Sequence, residues 1–295
     1  MKSCSTSKIR RCRPLLGTFV EITAEGESAE AVNAAVEEAF AAVERVQGLM
    51  SFHEQTSDVT RLNREAGRRV VRVHPWTYEV LDAAQQLHAA SQGAFDITIA
   101  PHLQRWGYLP DYVGAVSIAA DQSAIALLPG NGVWFHRPVQ IDLGGIAKGF
   151  AVDKAIEAMQ MAGVTGGLVN AGGDLRVFGP EASTVHVRRP DAPGRMLPLV
   201  KLSNAAVATS ANYFARKQVH GCRVTPLVNP QTGRSCNSTR SVSVQAPTCL
   251  WADALTKVVM LQGEKSASVL RHLGVSAWII NPAGKILCTS QSDES

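Results

Sequence analysis

Apolar residues recur at helix and strand spacings along most of the chain. Within residues 29–50 the apolar positions fall on one helical stripe, which predicts a long helix packed against a core. The stripe consists of Val32, Val36, Phe40, Val43, Val46 and Met50. Residues 78–90 repeat the helical pattern, whereas residues 17–23 alternate as a strand with one buried face does. Residues 51–67 are predicted to form a polar connection, and residues 93–108 an irregular segment.

The second half of the chain is predicted to consist mainly of strands. Strand patterns dominate up to residue 246, followed by helices at 251–261 and 266–273 and a terminal hairpin over 275–288. Long helices beside such strands, without regular alternation of strand and crossover helix, predict an α+β fold with mixed sheets and packed helices. Because no linker is visible, residues 14–290 are predicted to form one domain, preceded by a basic N-terminal tail at residues 1–13.

One segment combines an extended run, a tight turn and a helix start. Asp142 ends the extended run 139–141, Gly144 and Gly145 permit a sharp turn, and residues 146–161 carry helical periodicity. Unpaired N–H groups at a helix start, with Lys148 one turn in, suit a phosphate and hence a nucleotide. Packing alone also explains a glycine pair. The segment is neither a Walker loop nor a three-glycine dinucleotide fingerprint, which indicates another phosphate-binding family.

Composition narrows the class of protein. The 295 residues are 45% hydrophobic and 18% charged with a net charge of +4, and the basic residues are scattered except in residues 8–13, so nucleic-acid binding is not expected. The six cysteines lack Cys-x-x-Cys spacing, which indicates neither a zinc ribbon nor a redox motif. No apolar run reaches transmembrane length, and residues 1–13 lack the apolar stretch of an export signal, so we expect a cytoplasmic protein without a transmembrane segment.

A series of blocks in the same order resembles the ApbE family, flavin transferases that move FMN from FAD onto a threonine of a target protein. The blocks are residues 16–18, 50–51, 57–63, 94–101, 106–107, 142–153, 170–175, 208–210, 229–233 and 252–255. The resemblance covers nearly all of residues 14–290. It implies an ApbE-like α+β fold, FAD as the donor and Mg²⁺ as the cation.

The resemblance also implies which residues form the site. The positions that match FAD contacts are Leu16, His53, Ala94, Phe95, Asp96, Asp142, Lys148 and Val228. Mg²⁺ would be held by a backbone oxygen near Gly145 and by the carboxylate of Asp253, while no residue is assigned as the catalytic base. Taken alone, Phe95 and His53 are equally compatible with a packed core, and Asp253 with a helix cap or an ion pair.

Three positions depart from the family pattern. Lys257 stands where the family usually has a threonine, four residues after the metal-binding aspartate, and its ammonium cannot ligate Mg²⁺. Its charge nevertheless suits it to substitute for the metal. Pro226 stands where the family commonly has a histidine, which removes a base for the incoming threonine. Ala211 replaces a glycine.

These residues leave more than one function open. The first is Mg²⁺-assisted transfer of FMN from FAD to a threonine hydroxyl of an acceptor flavoprotein, with release of AMP. Family analogy gives that acceptor a short motif ending in threonine and a role in electron transfer. The second is an FAD-binding member that has lost transfer and serves as a carrier or accessory protein, which Lys257 and Pro226 would explain. The third is hydrolysis of FAD to FMN and AMP, with water replacing the threonine.

Overall fold

The main structural unit is an antiparallel sheet with helices packed against it. The computed structural model describes residues 7–111, 120–189, 194–211 and 215–289. The sheet has eight strands in the order β1 (Ser7–Leu15), β2 (Thr18–Gly26), β6 (Gly166–Ala171), β7 (Asp174–Phe178), β10 (Ala206–Ala211), β15 (Ser241–Ala246), β16 (Ser276–Ile280) and β17 (Ile286–Cys288). Every neighbouring pair is antiparallel. The predicted α+β class is confirmed.

Smaller sheets and the helices complete the architecture. The smaller sheets are β3 (Val71–Arg72) with β5 (Gly132–Phe135) and β4 (Ile125–Leu128), β8 (Ser183–Arg188) with β9 (Met196–Leu202), β11 (Lys217–Val219) with β12 (Cys222–Val224), and β13 (Val228–Asn229) with β14 (Arg234–Ser235). The helices are α1 (Ala29–Met50), α2 (Asp58–Glu65), α3 (Pro75–Ala90), α4 (Ala100–Arg105), α5 (Ala147–Met161), α6 (Cys249–Gln262) and α7 (Ala267–His272). In the described ranges, none of these helices has the length and apolar character needed to cross a bilayer.

The long helices pack against one another and against the main sheet. Helix α1 contacts α5, α5 contacts α6, and α6 lies on β10 and β15. Helix α1 has the predicted bounds because its apolar stripe is continuous, and every residue of that stripe is buried. Ser28 caps it by accepting a hydrogen bond from the Ala31 N–H at 3.1 Å. The core between helices and sheet therefore fixes the position of the start of α5.

The basic segment near the N-terminus is a strand, so the prediction of a tail is wrong for residues 7–13. Ser7–Leu15 pairs along its whole length with β2 and forms one edge of the main sheet. Its basic side chains form ion pairs with carboxylates of β2 and α1: Lys8 with Glu25, Arg10 with Glu21, and Arg13 with Glu37. Charged side chains are common on edge strands, where they discourage pairing with other chains. Residues 1–6 lie outside the described ranges.

The predicted polar connection after α1 contains helix α2. Several of its polar residues are buried, so apolar periodicity does not predict this helix. The Asp58 carboxylate accepts hydrogen bonds from the His74 N–H and the Thr77 hydroxyl, both at 2.8 Å. These bonds fix the beginning of α3, which starts at Pro75 rather than at residue 78. The segment 93–108, predicted to be irregular, likewise contains the short helix α4.

Candidate functional site

A cavity of about 770 Å³ lies where the end of α1, the start of α5 and the end of β10 come together. The predicted site residues that line it are Leu16, His53, Ala94, Phe95, Asp96, Asp142, Gly145, Lys148 and Val228. Asp253 does not line the cavity, because it is fully buried beneath Lys148 and Lys257. The fold thus brings together residues from distant parts of the sequence, and their contacts with a ligand remain predictions.

The backbone that leads into Asp142 is fixed by hydrogen bonds to Asn63 and Ile97. The Asn63 amide accepts a hydrogen bond from the Ile141 N–H at 2.7 Å and donates one to the Ile141 carbonyl at 2.9 Å. The Asp142 N–H donates to the Ile97 carbonyl at 2.8 Å. At Ile141 the predicted extended run is therefore held by a side chain instead of a sheet. Burial raises the pKa of Asp142 to about 6, although the Gly144 N–H and His53 oppose the rise.

The start of α5 is partly occupied by the protein's own groups. Ile146 is the N-cap and provides no side-chain hydrogen bond, while the Ala147 N–H donates to the Leu143 carbonyl at 2.8 Å. The Gly149 N–H donates to Asp253 Oδ2 at 3.0 Å. The prediction of unpaired N–H groups at this helix start is therefore wrong for Ala147 and Gly149, whose N–H groups have partners within the protein.

Four charged side chains form a cluster, called here the charge cluster, that consists of Lys148, Asp174, Asp253 and Lys257. Lys148 forms an ion pair with Asp174, and its Nζ lies 3.8 Å from Asp253 Oδ2. Lys257 forms an ion pair with Asp253 Oδ1 and donates to the Asp253 carbonyl at 2.9 Å. Both aspartates are buried, whereas the two lysines also line the cavity. The cavity is therefore lined by two lysines whose charges are balanced by two buried carboxylates.

The protonation of the charge cluster follows from its geometry. Burial alone would lower the pKa of Lys148, but the carboxylates of Asp174 and Asp253 outweigh burial and raise it above its usual value. Burial raises the pKa of Asp174, and the neighbouring carboxylate of Asp253 raises it further, while the two lysines oppose this rise. Lys148 consequently stays positively charged over the physiological pH range.

A second polar group lies around Asp96, next to an aromatic ring. Asp96 Oδ1 accepts hydrogen bonds from the N–H and the hydroxyl of Thr98, at 2.7 and 2.6 Å. Its Oδ2 lies 3.4 Å from His88 Nδ1, and burial raises the pKa of the carboxyl group. The Phe95 ring approaches Gly145 so closely that a Cβ at residue 145 would lie 3.6 Å from it. Asp96 and Phe95 thus offer a hydrogen-bond acceptor and a flat apolar surface beside the glycine turn.

Leu16 lies at the cavity in a left-handed backbone conformation. It has φ of 56° and Gly17 has φ of 70°, as expected for the two central residues of a tight hairpin between β1 and β2. The Leu16 N–H donates to the Gln47 side-chain oxygen at 2.7 Å, which ties the turn to α1. A leucine in this region carries a conformational cost, so tertiary contacts hold it there.

Sequence reasoning did not identify every residue at the site. Asp174 belongs to a recognised block, but its pairing with Lys148 depends on the return of β7 beneath α5 and has no local signal. The Ser210 and Thr256 hydroxyls share a hydrogen bond of 2.7 Å that joins β10 to α6. Pro226, which stands where the family commonly has a histidine, also lines the cavity.

Comparisons with known proteins agree with this architecture. Residues 16–293 match the model of the ApbE family. The FAD:protein FMN transferase of Vibrio cholerae is 28% identical over 239 residues, which cover 76% of this chain and 72% of that protein. The FAD:protein FMN transferase of Klebsiella pneumoniae is 28% identical over 92% of this chain and 83% of its own length. The crystal structure of the ApbE protein of Thermotoga maritima matches with a TM-score of 0.86 at 26% identity, over 97% of this chain and 98% of that one.

Proposed function

This chain belongs to the ApbE family, whose model spans nearly its whole length, and we propose that it is an FAD:protein FMN transferase. In this reaction FMN moves from FAD to the hydroxyl of a threonine in an acceptor flavoprotein, and AMP is released. Curated relatives named for this activity align with most of the chain, which supports the assignment. By family analogy, the acceptor is an electron-transfer flavoprotein with a short motif that ends in the target threonine.

The observation that carries this proposal is the combination of one cavity and one charge cluster. A volume of about 770 Å³ lies in the upper part of the range of about 300–1,000 Å³ that is typical of small-molecule sites. Its lining residues include Phe95, Lys148 and Lys257. A dinucleotide needs this pairing of a flat apolar wall for a ring with cations for the pyrophosphate.

The proposed reaction is a phosphoryl transfer whose atoms balance without an oxidant or reductant. The threonine oxygen forms a bond to the phosphorus of the FMN half of FAD, and the bond from that phosphorus to the bridging oxygen breaks. AMP leaves with the bridging oxygen, and the hydroxyl proton passes to solvent. Positioning and charge neutralisation account for most catalysis in this class of reaction. We assign that task to Lys148, because its ammonium stays charged and the residue lines the cavity.

Incubation with FAD and an acceptor domain tests the proposal. The acceptor should be one that the Vibrio cholerae relative labels, with its threonine-to-valine variant as the matched control. Covalent flavin is followed by in-gel fluorescence and intact mass, and a gain equal to FMN less one water, confined to the threonine form, is expected. FMN and AMP released at the same rate without acceptor would instead identify a hydrolase. FAD bound without any product, while the relative labels the same acceptor, would identify a non-transferring flavin-binding protein.

A further inference from the structure

The donor atoms around Asp253 do not fit the divalent cation that the family resemblance implies. Asp253 Oδ1 is paired with Lys257, and Oδ2 accepts the Gly149 N–H at 3.0 Å. The Asp253 carbonyl accepts hydrogen bonds from Lys257 Nζ at 2.9 Å and from the Thr256 hydroxyl at 2.7 Å. Among the described residues, no group of three or more His, Cys, Asp or Glu is arranged to hold a metal ion. Mg²⁺ demands near-octahedral oxygen ligands, and these oxygens already serve N–H and O–H donors.

The side chain of Lys257 also runs past the second expected ligand. A Cβ built at Gly145 would lie 3.8 Å from Lys257 Cε, so the lysine stem passes beside the glycine turn before its ammonium reaches Asp253. The expected metal ligands were a backbone oxygen near Gly145 and the carboxylate of Asp253. The ammonium therefore lies in the region that a cation held by these two residues would occupy.

Helix geometry makes this arrangement stable. Asp253 and Lys257 are four residues apart on α6, with the acidic residue first, which is the favourable order for an ion pair along a helix. Asp253 is fully buried, and the side chain of Lys257 is only 20% exposed, so solvent screens the pair weakly. The neighbouring Thr256 hydroxyl, which bonds to Ser210 on β10, helps to fix the turn of α6 that carries both residues.

We propose that the ammonium of Lys257 replaces the divalent cation, so that FAD binding and FMN transfer in this protein require no metal. Lys257 lines the cavity and has three N–H donors, of which two bond to Asp253. The remaining donor and the positive charge are available to a phosphate oxygen. As far as FAD is the ligand, this inference rests on the proposed function.

FAD affinity measured with and without metal tests the inference. Quenching of FAD fluorescence gives Kd for the wild-type protein in EDTA and in excess Mg²⁺, and we expect the two values to agree within about twofold. Lys257→Thr should weaken FAD binding in EDTA by at least about tenfold, and Mg²⁺ should restore it. Lys265→Thr makes the same change at an exposed lysine just after α6 and should match the wild type in both conditions.

A second measurement detects the metal directly. Mn²⁺ titrated into the protein with FAD and followed by electron paramagnetic resonance should bind to Lys257→Thr and not to the wild type. Wild-type protein that binds FAD only when Mg²⁺ is present would overturn the inference and leave the proposed function intact. Wild-type protein that fails to bind FAD in every condition would overturn both. The wild-type comparison needs no variant, so it tests the binding part of the inference even if Lys257→Thr does not fold, and FMN transfer to the acceptor domain in EDTA tests the other part.

Discussion

Gly149 lies where α5 and α6 touch, and adding one methyl group there should be costly. A Cβ at residue 149 would lie 2.2 Å from the Cys249 carbonyl oxygen and 2.8 Å from Asp253 Cβ. Carbon and oxygen in such contacts are normally at least about 3.3 Å apart, so Gly149→Ala must separate the helices by about 1 Å. Overpacking of this kind costs about 1–3 kcal/mol, occasionally more. Because backbone atoms cannot move aside as side chains do, we expect a loss near the upper limit, about 3 kcal/mol.

Calorimetry converts this loss into a measurable shift. At about 2.1 cal/mol/K per residue, a chain of 295 residues has an unfolding entropy of about 0.6 kcal/mol/K, so Tm should fall by about 5 °C. FAD affinity should fall as well, because Asp253 moves with α6. Gly48→Ala is the matched control, since Gly48 is exposed near the end of α1 and an added Cβ meets nothing within 4 Å beyond the backbone of its own helix. That change should raise stability by up to about 1 kcal/mol. An unchanged Tm for Gly149→Ala would refute the argument.

Three further changes test the charged groups. Lys148→Ala should lower Tm, because Asp174 loses its partner, and should weaken FAD binding by at least about tenfold. Lys154→Ala, on α5 outside the cavity, should leave FAD affinity unchanged. Equal losses of FAD affinity in the two variants would contradict this role of Lys148. Folding raises the pKa of Asp142 from 3.8 to about 6, so this group's contribution to stability falls as pH rises through that interval, by at most about 3 kcal/mol. Asp142→Asn should therefore gain Tm relative to the wild type at pH 7.5 but not at pH 3.5, and a pH-independent difference would exclude this origin. Asp153→Ala removes the acceptor for the Cys249 and Leu250 N–H groups and the ion-pair partner of Arg176. Urea unfolding should show that the free energy of unfolding falls by about 3 kcal/mol. A fall below about 0.5 kcal/mol would contradict this role of Asp153 as a cap and ion-pair partner.

Local patterns predict what depends on local packing. Helix α1 follows from an unbroken apolar stripe, and the first helical turns of α5 follow from the glycine pair before them. Helix α2 escapes such a search because Asp58 and Asn63 are buried through hydrogen bonds to distant backbone groups. Strand β1 is not predicted by periodicity, because its arginines pair with carboxylates on other elements that are distant in sequence. Polar burial and cross-element ion pairs are thus the features that sequence periodicity hides.

In the candidate site, too, features that depend on local sequence are predicted, and contacts between distant elements are not. All eight positions that the resemblance assigns to FAD contacts line the cavity, and so does Gly145. The resemblance does not reveal Asp174 as the partner of Lys148, since that pair joins β7 to α5. The Lys257–Asp253 pair is visible as a spacing of four residues on a helix. That the same lysine also passes beside Gly145, and so affects the expected metal site, can be seen only in the folded structure.

The two carboxylate oxygens of Asp253 connect these observations. Oδ2 accepts the Gly149 N–H in the first turn of α5, where a negative charge interacts favourably with the helix dipole. That helix end is therefore already partly neutralised before an anionic ligand arrives, which weakens its own attraction for phosphate. Oδ1 is neutralised in turn by Lys257. For the FAD binding proposed above, the pyrophosphate would therefore depend more on the ammonium groups of Lys148 and Lys257, each of which is paired with a buried aspartate, than on the backbone at the helix start.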